Sequence, residues 1–208
     1  EEMARTARTF KDHGCLEEER RSLLEMEQLY TYIHHRMGYN YRMTEMQAAI
    51  GLKALDRLDW NVEIRRRNAH HLKKQLSELE YVSPAHEAAH VKHSFYKYYC
   101  TLELDRIQVD RNAFVKAVRA EGVPIAIGSS AELYREQVFQ EQVGFGSTGY
   151  PFKDPGYEGE ADYGTVFCPN ANRIGERAFV LQVHPTIELE DLDDVVAAIR
   201  KVGDRYQA

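Results

Sequence analysis

Residues 38–52 read Gly38-Tyr39-Asn40-Tyr41-Arg42-Met43-Thr44-Glu45-Met46-Gln47-Ala48-Ala49-Ile50-Gly51-Leu52. They begin as a short polar and aromatic loop that offers an amide at Asn40, a phenol at Tyr41 and a guanidinium at Arg42. Thr44 and Gln47 then have the spacing of a capping box, in which hydroxyl and amide satisfy free backbone donors at a helix start. A loop anchored in this way can hold side chains in place for an anion or a polar ligand. In most such loops, however, the arginine pairs with an acid and the amide closes a turn.

The helix that begins at Thr44 is expected to be long. Residues 44–79 contain no proline, so the pattern predicts one helix or two helices in line. An apolar series at helical spacing predicts one buried face: Met46, Ala49, Ile50, Ala54 and Leu58. Gly51 lowers the helix propensity, and we expect close packing of another backbone at that position.

The rest of the chain alternates between the two kinds of secondary structure. Beyond a helix over residues 1–12, the patterns predict strands over residues 94–104, 123–127 and 180–183, and helices over residues 110–121, 173–179 and 190–206. Residues 144–165 are rich in glycine, proline, tyrosine and acids, which predicts an ordered loop or insertion. Strands that alternate with helices indicate a small α/β lobe.

Composition narrows the class of protein. A chain of 208 residues with 43% hydrophobic and 29% charged residues can form one sizeable domain or two small ones. The net charge of -6 argues against a general nucleic-acid binder, which requires a basic surface. We expect a cytoplasmic protein with no membrane association, because no apolar run reaches the length of a membrane span and no signal peptide is present.

The sequence predicts no metal site. The three cysteines have no metal-ligand spacing, and reduced thiols are the simplest interpretation. The adjacent pairs His34-His35 and His70-His71 lack the i, i+4 spacing and the additional ligands of a zinc site, so we expect exposed or packing residues.

Several segments, taken in order, resemble the DegT/StrS-type sugar aminotransferases, which use pyridoxal phosphate. They are residues 38–52, 92–99, 122–128, 168–171 and 183–186, and the first is the most specific. The resemblance implies the C-terminal part of a fold-type I aminotransferase, an α/β protein with a long interdomain helix and a small α/β lobe. Residues 1–43 would be the tail of the large cofactor domain, residues 44–80 the interdomain helix and residues 81–208 the small domain. Since the chain starts inside a helical pattern without an initiator methionine, we expect a fragment.

The same resemblance assigns site residues. In this family the site lies at the interface of a homodimer, where the asparagine of the loop reaches the cofactor phosphate of the neighbouring subunit. Asn40 would therefore bind the cofactor, while Arg42, Tyr41 and His184 would bind substrate. A structural, hydrogen-bonded role for His184 stays open. Core packing is the expectation for Tyr96, and His93 is undecided.

One expected feature is missing from the chain. The family attaches its cofactor to a lysine upstream of the loop, in a Ser- and Gly-rich context, but Lys11 is the only lysine before Asn40 and has a different context. The acid that pairs with the pyridinium nitrogen is also expected upstream. The chain then holds no catalytic residue of its own and is expected to be inactive alone.

The resemblance implies a parent enzyme that transfers an amino group from glutamate or glutamine to a keto-sugar or cyclitol. The sugar would be free or linked to a nucleotide. Two alternatives stay open. In the first, the parent is a related sugar dehydratase with histidine in place of the lysine. In the second, the chain is a noncatalytic binding or interaction domain.

Overall fold

The computed structural model describes residues 1–16, 18, 21–22, 34–128, 132–156, 159 and 162–207. The chain divides into two compact units, residues 1–58 and residues 59–208. None of the described helices is both long enough and apolar enough to cross a lipid bilayer. The predicted division into residues 1–43, 44–80 and 81–208 stays a prediction.

The first unit contains a short ribbon between two helices. Helix α1 covers Glu2–Lys11, as predicted for residues 1–12, and helix α2 covers Glu45–Leu55. The chain that leaves α1 pairs with the chain that enters α2: the Tyr39 amide donates to the Phe10 carbonyl (2.7 Å) and the Tyr41 amide to the Lys11 carbonyl (2.8 Å). These backbone bonds hold the loop before α2 against the end of α1.

The capping box at the start of α2 is confirmed. The Thr44 hydroxyl accepts from the Gln47 amide (3.3 Å), and the Gln47 side-chain oxygen accepts from the Thr44 amide (3.0 Å). The helix ends at Leu55, and helix α3 covers Leu58–Leu76, so the predicted helical stretch is two helices separated by a turn at residues 56–57.

The predicted buried face of α2 is wrong. Met46 is 78% exposed and Ile50 is 71% exposed, and no residue of the helix is buried. The expected close packing at Gly51 is also wrong, because no described atom lies within 4 Å of a Cβ built there. In the described part of the first unit, no other element is placed to cover this face.

The second unit is built on a four-stranded antiparallel sheet with the strand order β1-β2-β4-β3. The strands cover Val82–Pro84 (β1), Tyr98–Leu102 (β2), Ala126–Ile127 (β3) and Ala178–Leu181 (β4). All four residues of β4 are buried, which explains its uninterrupted apolar sequence. In register, Val180 lies opposite Tyr99 on one side and Ala126 on the other.

Three strand predictions were wrong in their bounds: the strand predicted over residues 94–104 covers only Tyr98–Leu102. Residues 123–127 were predicted as a strand, but pairing begins only at Ala126, because Pro124 lacks an amide proton and the Ile125 amide donates to the Val123 carbonyl (2.8 Å). The strand predicted over residues 180–183 begins two residues earlier. The helix predicted over residues 173–179 covers Pro169–Arg177, so its bounds were wrong as well: proline is favoured at the first helical position, and Ala178 and Phe179 belong to β4.

Helices cover the sheet and complete the core. Helix α4 (Arg111–Ala120) begins with Asp110 as its cap and is followed by Gly122 at φ 90°; helix α7 (Leu189–Tyr206) closes the chain. The largest fully buried side chains include two tyrosines and apolar residues of α3, α4, the sheet and α7: Tyr81, Tyr98, Leu72, Leu76, Phe114, Val118, Phe179, Leu181, Leu192 and Ile199. The helices predicted over residues 110–121 and 190–206 are thus confirmed to within a residue or so.

The segment between β3 and β4 has a small aromatic cluster of its own. It contains helix α5 (Gln137–Gln140) and helix α6 (Pro169–Arg177), and the described residues between them form no helix or strand, as predicted for the loop over residues 144–165. The rings of Phe139, Phe152 and Tyr163 lie 5.3–6.2 Å apart between centroids. These contacts organise the loop without regular secondary structure.

Candidate functional site

In the loop before α2, two of the three predicted ligand-binding side chains, Asn40 and Arg42, are hydrogen-bonded to each other. Arg42 Nε donates to Asn40 Oδ1 at 2.9 Å, and the Asp12 carboxylate lies 3.5 Å from the same nitrogen. His13 Nε2 lies 3.4 Å from Arg42 Nη2. The arginine thus pairs with an acid, as the structural interpretation of the loop predicts, and it also orients the asparagine.

This contact fixes which way the Asn40 amide faces. A guanidinium only donates hydrogen bonds, so the amide oxygen must face Arg42 and the NH₂ group must face away from it. Asn40 Nδ2 has no partner among the residues that the structure describes. A side-chain amide held in this orientation can donate to an anionic oxygen, and the donor set therefore fits one oxygen of a phosphate.

Two glycines let the chain reach this geometry. Gly14 has φ 77°, and a Cβ there would lie 1.9 Å from the Arg36 carbonyl oxygen. A Cβ at residue 38 would lie 2.3 Å from the Gly14 nitrogen. Because side chains cannot occupy these positions, both glycines are needed for the close approach of the two segments. The sequence prediction had not identified this role.

Tyr41 is part of an aromatic stack on the same loop. Its ring stacks on Tyr39 with centroids 4.9 Å apart, and Tyr39 meets Phe10 edge-on at 5.1 Å. Tyr41 remains exposed. The structure therefore brings together Asn40, Tyr41 and Arg42 in the first unit.

His184 lies in the second unit, in the turn between β4 and α7, with its side chain exposed. Its Nδ1 atom lies 2.8 Å from Thr186 Oγ1, and the Thr186 amide donates to Nδ1 at 3.3 Å. The hydrogen-bonded structural role that the sequence left open is thus present. The contacts with Thr186 involve only Nδ1, one of the two ring nitrogens of His184.

A buried asparagine, which sequence reasoning missed, holds this turn. Asn68 on α3 has 0% exposure, and its Nδ2 donates to the carbonyl oxygens of His184 (3.3 Å) and Ile187 (3.1 Å). Its Oδ1 accepts from Arg67 Nε (3.1 Å) and Nη2 (2.9 Å). One sequence signal could have identified it, since Asn68 shares a helical stripe with the buried Leu72 and Leu76 and is polar.

The neighbouring turn of α3 holds the loop before β2. Arg66 Nη1 donates to Glu87 Oε1 (2.6 Å) and to the His93 carbonyl (2.8 Å), and His70 Nε2 lies 2.9 Å from Glu87 Oε2. Hydrogen bonds from His70, from the His93 backbone amide and from Arg66 lower the pKa of Glu87 to about 2. His93 is therefore part of a structural network, which is the role the sequence left undecided.

The expectation that Tyr96 packs in the core is wrong, because Tyr96 is 75% exposed. Phe95 has φ 45°, an uncommon conformation for a bulky residue, and it is Phe95 that is buried. Arg65 Nη1 donates to the carbonyl oxygens of Phe95 (3.5 Å) and Tyr96 (3.1 Å). This break in the extended backbone turns Phe95 inwards and leaves the next side chain outside.

Both histidines of the adjacent pair His70-His71 contact carboxylates of other elements. His70 meets Glu87, and His71 Nε2 lies 2.6 Å from Asp193 Oδ1. Within the described residues, no group of three or more His, Cys, Asp or Glu side chains is placed to hold a metal ion.

Comparisons with known proteins identify relatives of the chain. An uncharacterised protein of Methanocaldococcus jannaschii, MJ1066, is 27% identical over 167 residues, which are 79% of this chain and 38% of that protein. The UDP-N-acetyl-3-dehydro-alpha-D-glucosamine 3-aminotransferase of Acidithiobacillus ferrooxidans is 26% identical over 202 residues, 96% of this chain and 43% of the enzyme.

A solved structure shows the same fold. The aminotransferase from Psychrobacter cryohalolentis superimposes with a TM-score of 0.74 at 26% identity, and the match covers 97% of this chain and 49% of that one. The chain thus spans less than half the length of these relatives. The fold is that of the fold-type I sugar aminotransferases, which confirms the predicted fold class.

The profile of the DegT/DnrJ/EryC1/StrS aminotransferase family matches residues 1–200, a range that includes the Asn40–Arg42 loop and the His184 turn. The chain belongs to this family of pyridoxal-phosphate-dependent aminotransferases.

Proposed function

We propose that this chain is the C-terminal part of an enzyme that transfers an amino group from glutamate or glutamine to a keto-sugar or cyclitol, free or nucleotide-linked. The observation that carries the proposal is the family match over residues 1–200, together with the orientation of Asn40 by Arg42. The Acidithiobacillus ferrooxidans relative, by its name, acts on a UDP-linked dehydro-sugar, which supports a sugar as substrate.

Pyridoxal phosphate, when bound, supplies the electron sink that allows an amino group to leave one carbon and join another. The part of this chain would be to hold its phosphate. Asn40 Nδ2 would donate to a phosphate oxygen, since Arg42 occupies the amide oxygen. The lysine that carries the cofactor is proposed to lie outside these residues. Lys11, an exposed residue at the end of α1, is not assigned that role.

Arg42 would recognise an anionic or hydroxyl-bearing part of the substrate. Its Nε and Nη2 atoms contact Asn40 and His13, whereas Nη1 has no partner among the described residues. A guanidinium offers charge-assisted hydrogen bonds to phosphate or carboxylate oxygens. Tyr41, exposed beside it, would contribute an aromatic surface and a hydroxyl to the same recognition.

His184 would contact the substrate through the ring nitrogen that Thr186 does not occupy. The imidazole is exposed, and its turn is fixed by the buried Asn68. A side chain that is accessible and also held in place is suited to ligand recognition.

We also propose that the enzyme is a homodimer in which Asn40 serves the cofactor phosphate of the partner subunit. Helix α2 follows the loop directly, and several large apolar side chains on it are exposed: Met46, Ile50, Leu52 and Leu55. Several large apolar side chains exposed on one short helix are typical of a protein–protein interface.

The test uses the full-length protein encoded by the reading frame that contains these residues, reconstituted with pyridoxal phosphate. Glutamate or glutamine is added, and the change in cofactor absorption reports the first half of the transfer. Asn40→Ala should weaken cofactor binding by about tenfold or more, as expected for a lost hydrogen bond to a charged group. Arg42→Gln should raise the KM for the sugar, and because it loosens the orientation of Asn40 it should also weaken cofactor binding, but less than Asn40→Ala does.

Asn112→Ala is the matched control. Asn112 is an exposed asparagine that accepts from the Nε atom of Arg111 at 2.8 Å, as Asn40 accepts from Arg42, and it lies on α4. It should leave cofactor binding unchanged. Loss of water from a keto-sugar without amino transfer would replace the proposal with a dehydratase. A full-length protein that binds no pyridoxal phosphate would leave a binding or interaction domain.

A further inference from the structure

The turn at His184–Ile187 imposes one hydrogen-bonding state on the imidazole. The Thr186 backbone amide can only donate, so Nδ1 of His184 must accept and therefore carries no proton. A proton on Nδ1 would place two donors against each other at 3.3 Å. In the neutral ring the proton is then on Nε2.

The other side of the ring is available to a ligand. Among the described residues, Nε2 of His184 has no hydrogen-bond partner, and the side chain is exposed. The neutral imidazole therefore offers an N–H group outwards. Such a group is suited to a carbonyl or hydroxyl oxygen and is a poor partner for an ammonium group.

The geometry of the turn depends on Asn68. Two carbonyl oxygens three positions apart in the chain, those of His184 and Ile187, accept from one buried NH₂ group. The Ile187 amide also donates to the His184 carbonyl at 3.0 Å, which closes the turn. Because Arg67 donates twice to Asn68 Oδ1, the amide cannot rotate without placing donor against donor.

We propose that Asn68 is a positioning residue that fixes the tautomer of His184, so that the protonated Nε2 donates to an oxygen atom of the sugar substrate. This inference deepens the proposed function and rests on it for the identity of the substrate. The tautomer and its dependence on Asn68 are properties of the chain itself and can be measured without substrate.

The experiment is ¹⁵N NMR of the histidine rings in the 208-residue chain at a pH where the rings are neutral, with His184→Gln used to assign the signal. His184 should show a protonated Nε2 and an unprotonated Nδ1. His93 provides an internal reference of the same kind, since its Nδ1 accepts from the Phe95 amide at 2.8 Å. His34 provides the opposite reference, since its Nδ1 lies 2.7 Å from the His13 carbonyl, which can only accept.

Asn68→Asp is the informative variant, because it keeps the shape of the side chain but presents an acceptor to the two carbonyls. We expect His184 to become a mixture of tautomers while the His93 signal is unchanged. Asn61→Asp, on the same helix and without a described side-chain hydrogen bond, should change neither signal. Asn68→Ala, which removes the donor without adding a charge, should also produce the mixture and serves if the aspartate variant does not fold.

A wild-type His184 with the proton on Nδ1, or with both tautomers populated, would overturn the proposal without any variant. So would a single Nε2–H tautomer that persists in both folded Asn68 variants. In the full-length enzyme, His184→Gln should retain a donor near the Nε2 position, whereas His184→Asn should raise the KM for the sugar by about tenfold. If the enzyme transfers no amino group at all, the proposed function fails while the NMR result stands separately.

Discussion

Gly38 lies so close to Gly14 that a Cβ at residue 38 would be 2.3 Å from the Gly14 nitrogen. The ribbon beside the Asn40 loop exists only because Gly14 and Gly38 have no side chains. Gly38→Ala should push the two segments apart at a cost of about 1–3 kcal/mol, the usual range for overpacking. Faster hydrogen exchange at the Tyr39 and Tyr41 amides, which donate across this ribbon, would report the separation.

Gly51→Ala is the control for that variant. No described atom lies within 4 Å of the added Cβ, and the residue is inside helix α2. The alanine should stabilise the helix by about 0.5–1 kcal/mol through its higher propensity. If Gly51→Ala weakened the ribbon as much as Gly38→Ala does, the close approach at Gly38 would not be the cause.

The second prediction concerns acid stability. The pKa of Glu87 falls from its usual 4.5 to about 2, chiefly through its hydrogen bond with His70. A carboxyl group whose pKa is lower in the folded protein than in the unfolded chain stabilises the fold at any pH above the unfolded pKa. This contribution is lost as the pH falls from about 4.5 towards 2. Glu87→Gln should therefore flatten the pH dependence of the unfolding free energy in this window.

Urea unfolding between pH 2 and 7 gives the measurement. Glu80→Gln is a suitable control, because Glu80 is exposed and its carboxylate lies 3.7 Å from Arg106 on the surface. A steep acid transition that survives in Glu87→Gln would show that other carboxylates dominate it.

The third prediction concerns a buried hydroxyl group. Tyr98 is 1% exposed, and its hydroxyl has no hydrogen-bond partner among the described residues. Tyr98→Phe removes a polar atom whose burial is uncompensated, so the unfolding free energy should rise by about 1 kcal/mol.

Tyr81→Phe should have the opposite effect. The Tyr81 hydroxyl lies 3.0 Å from Asp204 Oδ1 and 3.3 Å from the Arg200 carbonyl, and both would lose a donor. We expect a loss of about 1–2 kcal/mol. Equal effects of the two variants on the urea midpoint would contradict the difference in hydrogen bonding.

The fourth prediction concerns the exposed face of α2. If it forms the dimer interface that we propose, Ile50→Asp should shift the full-length protein from dimer to monomer in analytical ultracentrifugation, because it would bury an unpaired carboxylate. Val143→Asp changes an exposed apolar residue elsewhere and should leave the dimer intact. A wild-type protein that sediments as a monomer would remove the basis for the proposed partner contact.

The sequence predicted those features that depend on neighbouring residues. The Thr44–Gln47 capping box and the helices predicted over residues 110–121 and 190–206 are local patterns, and the structure contains all three. The bounds of β4 were missed by two residues because residues 178–183 are apolar except for Gln182, and strand pairing, not composition, selects which part joins the sheet.

The remaining site features depend on contacts far apart in the chain. Asn68 and His184 are separated by 116 positions, so no local window contains both. Tyr96 was misplaced because the positive φ of Phe95 interrupts the strand alternation, and a non-glycine residue gives no sign of this in the sequence. The orientation of Asn40 likewise follows from a hydrogen bond that spacing alone does not specify.

Residues 65–68 of α3 form hydrogen bonds with two separate loops. Every loop atom that accepts from Arg65 or Asn68 is a main-chain carbonyl oxygen. The exposed side chains at positions 96 and 184 can therefore be replaced during evolution while the hydrogen bonds between the loop backbone and α3 are kept. Such a division between main-chain contacts and exchangeable side chains would let one fold bind many carbohydrates through few substitutions.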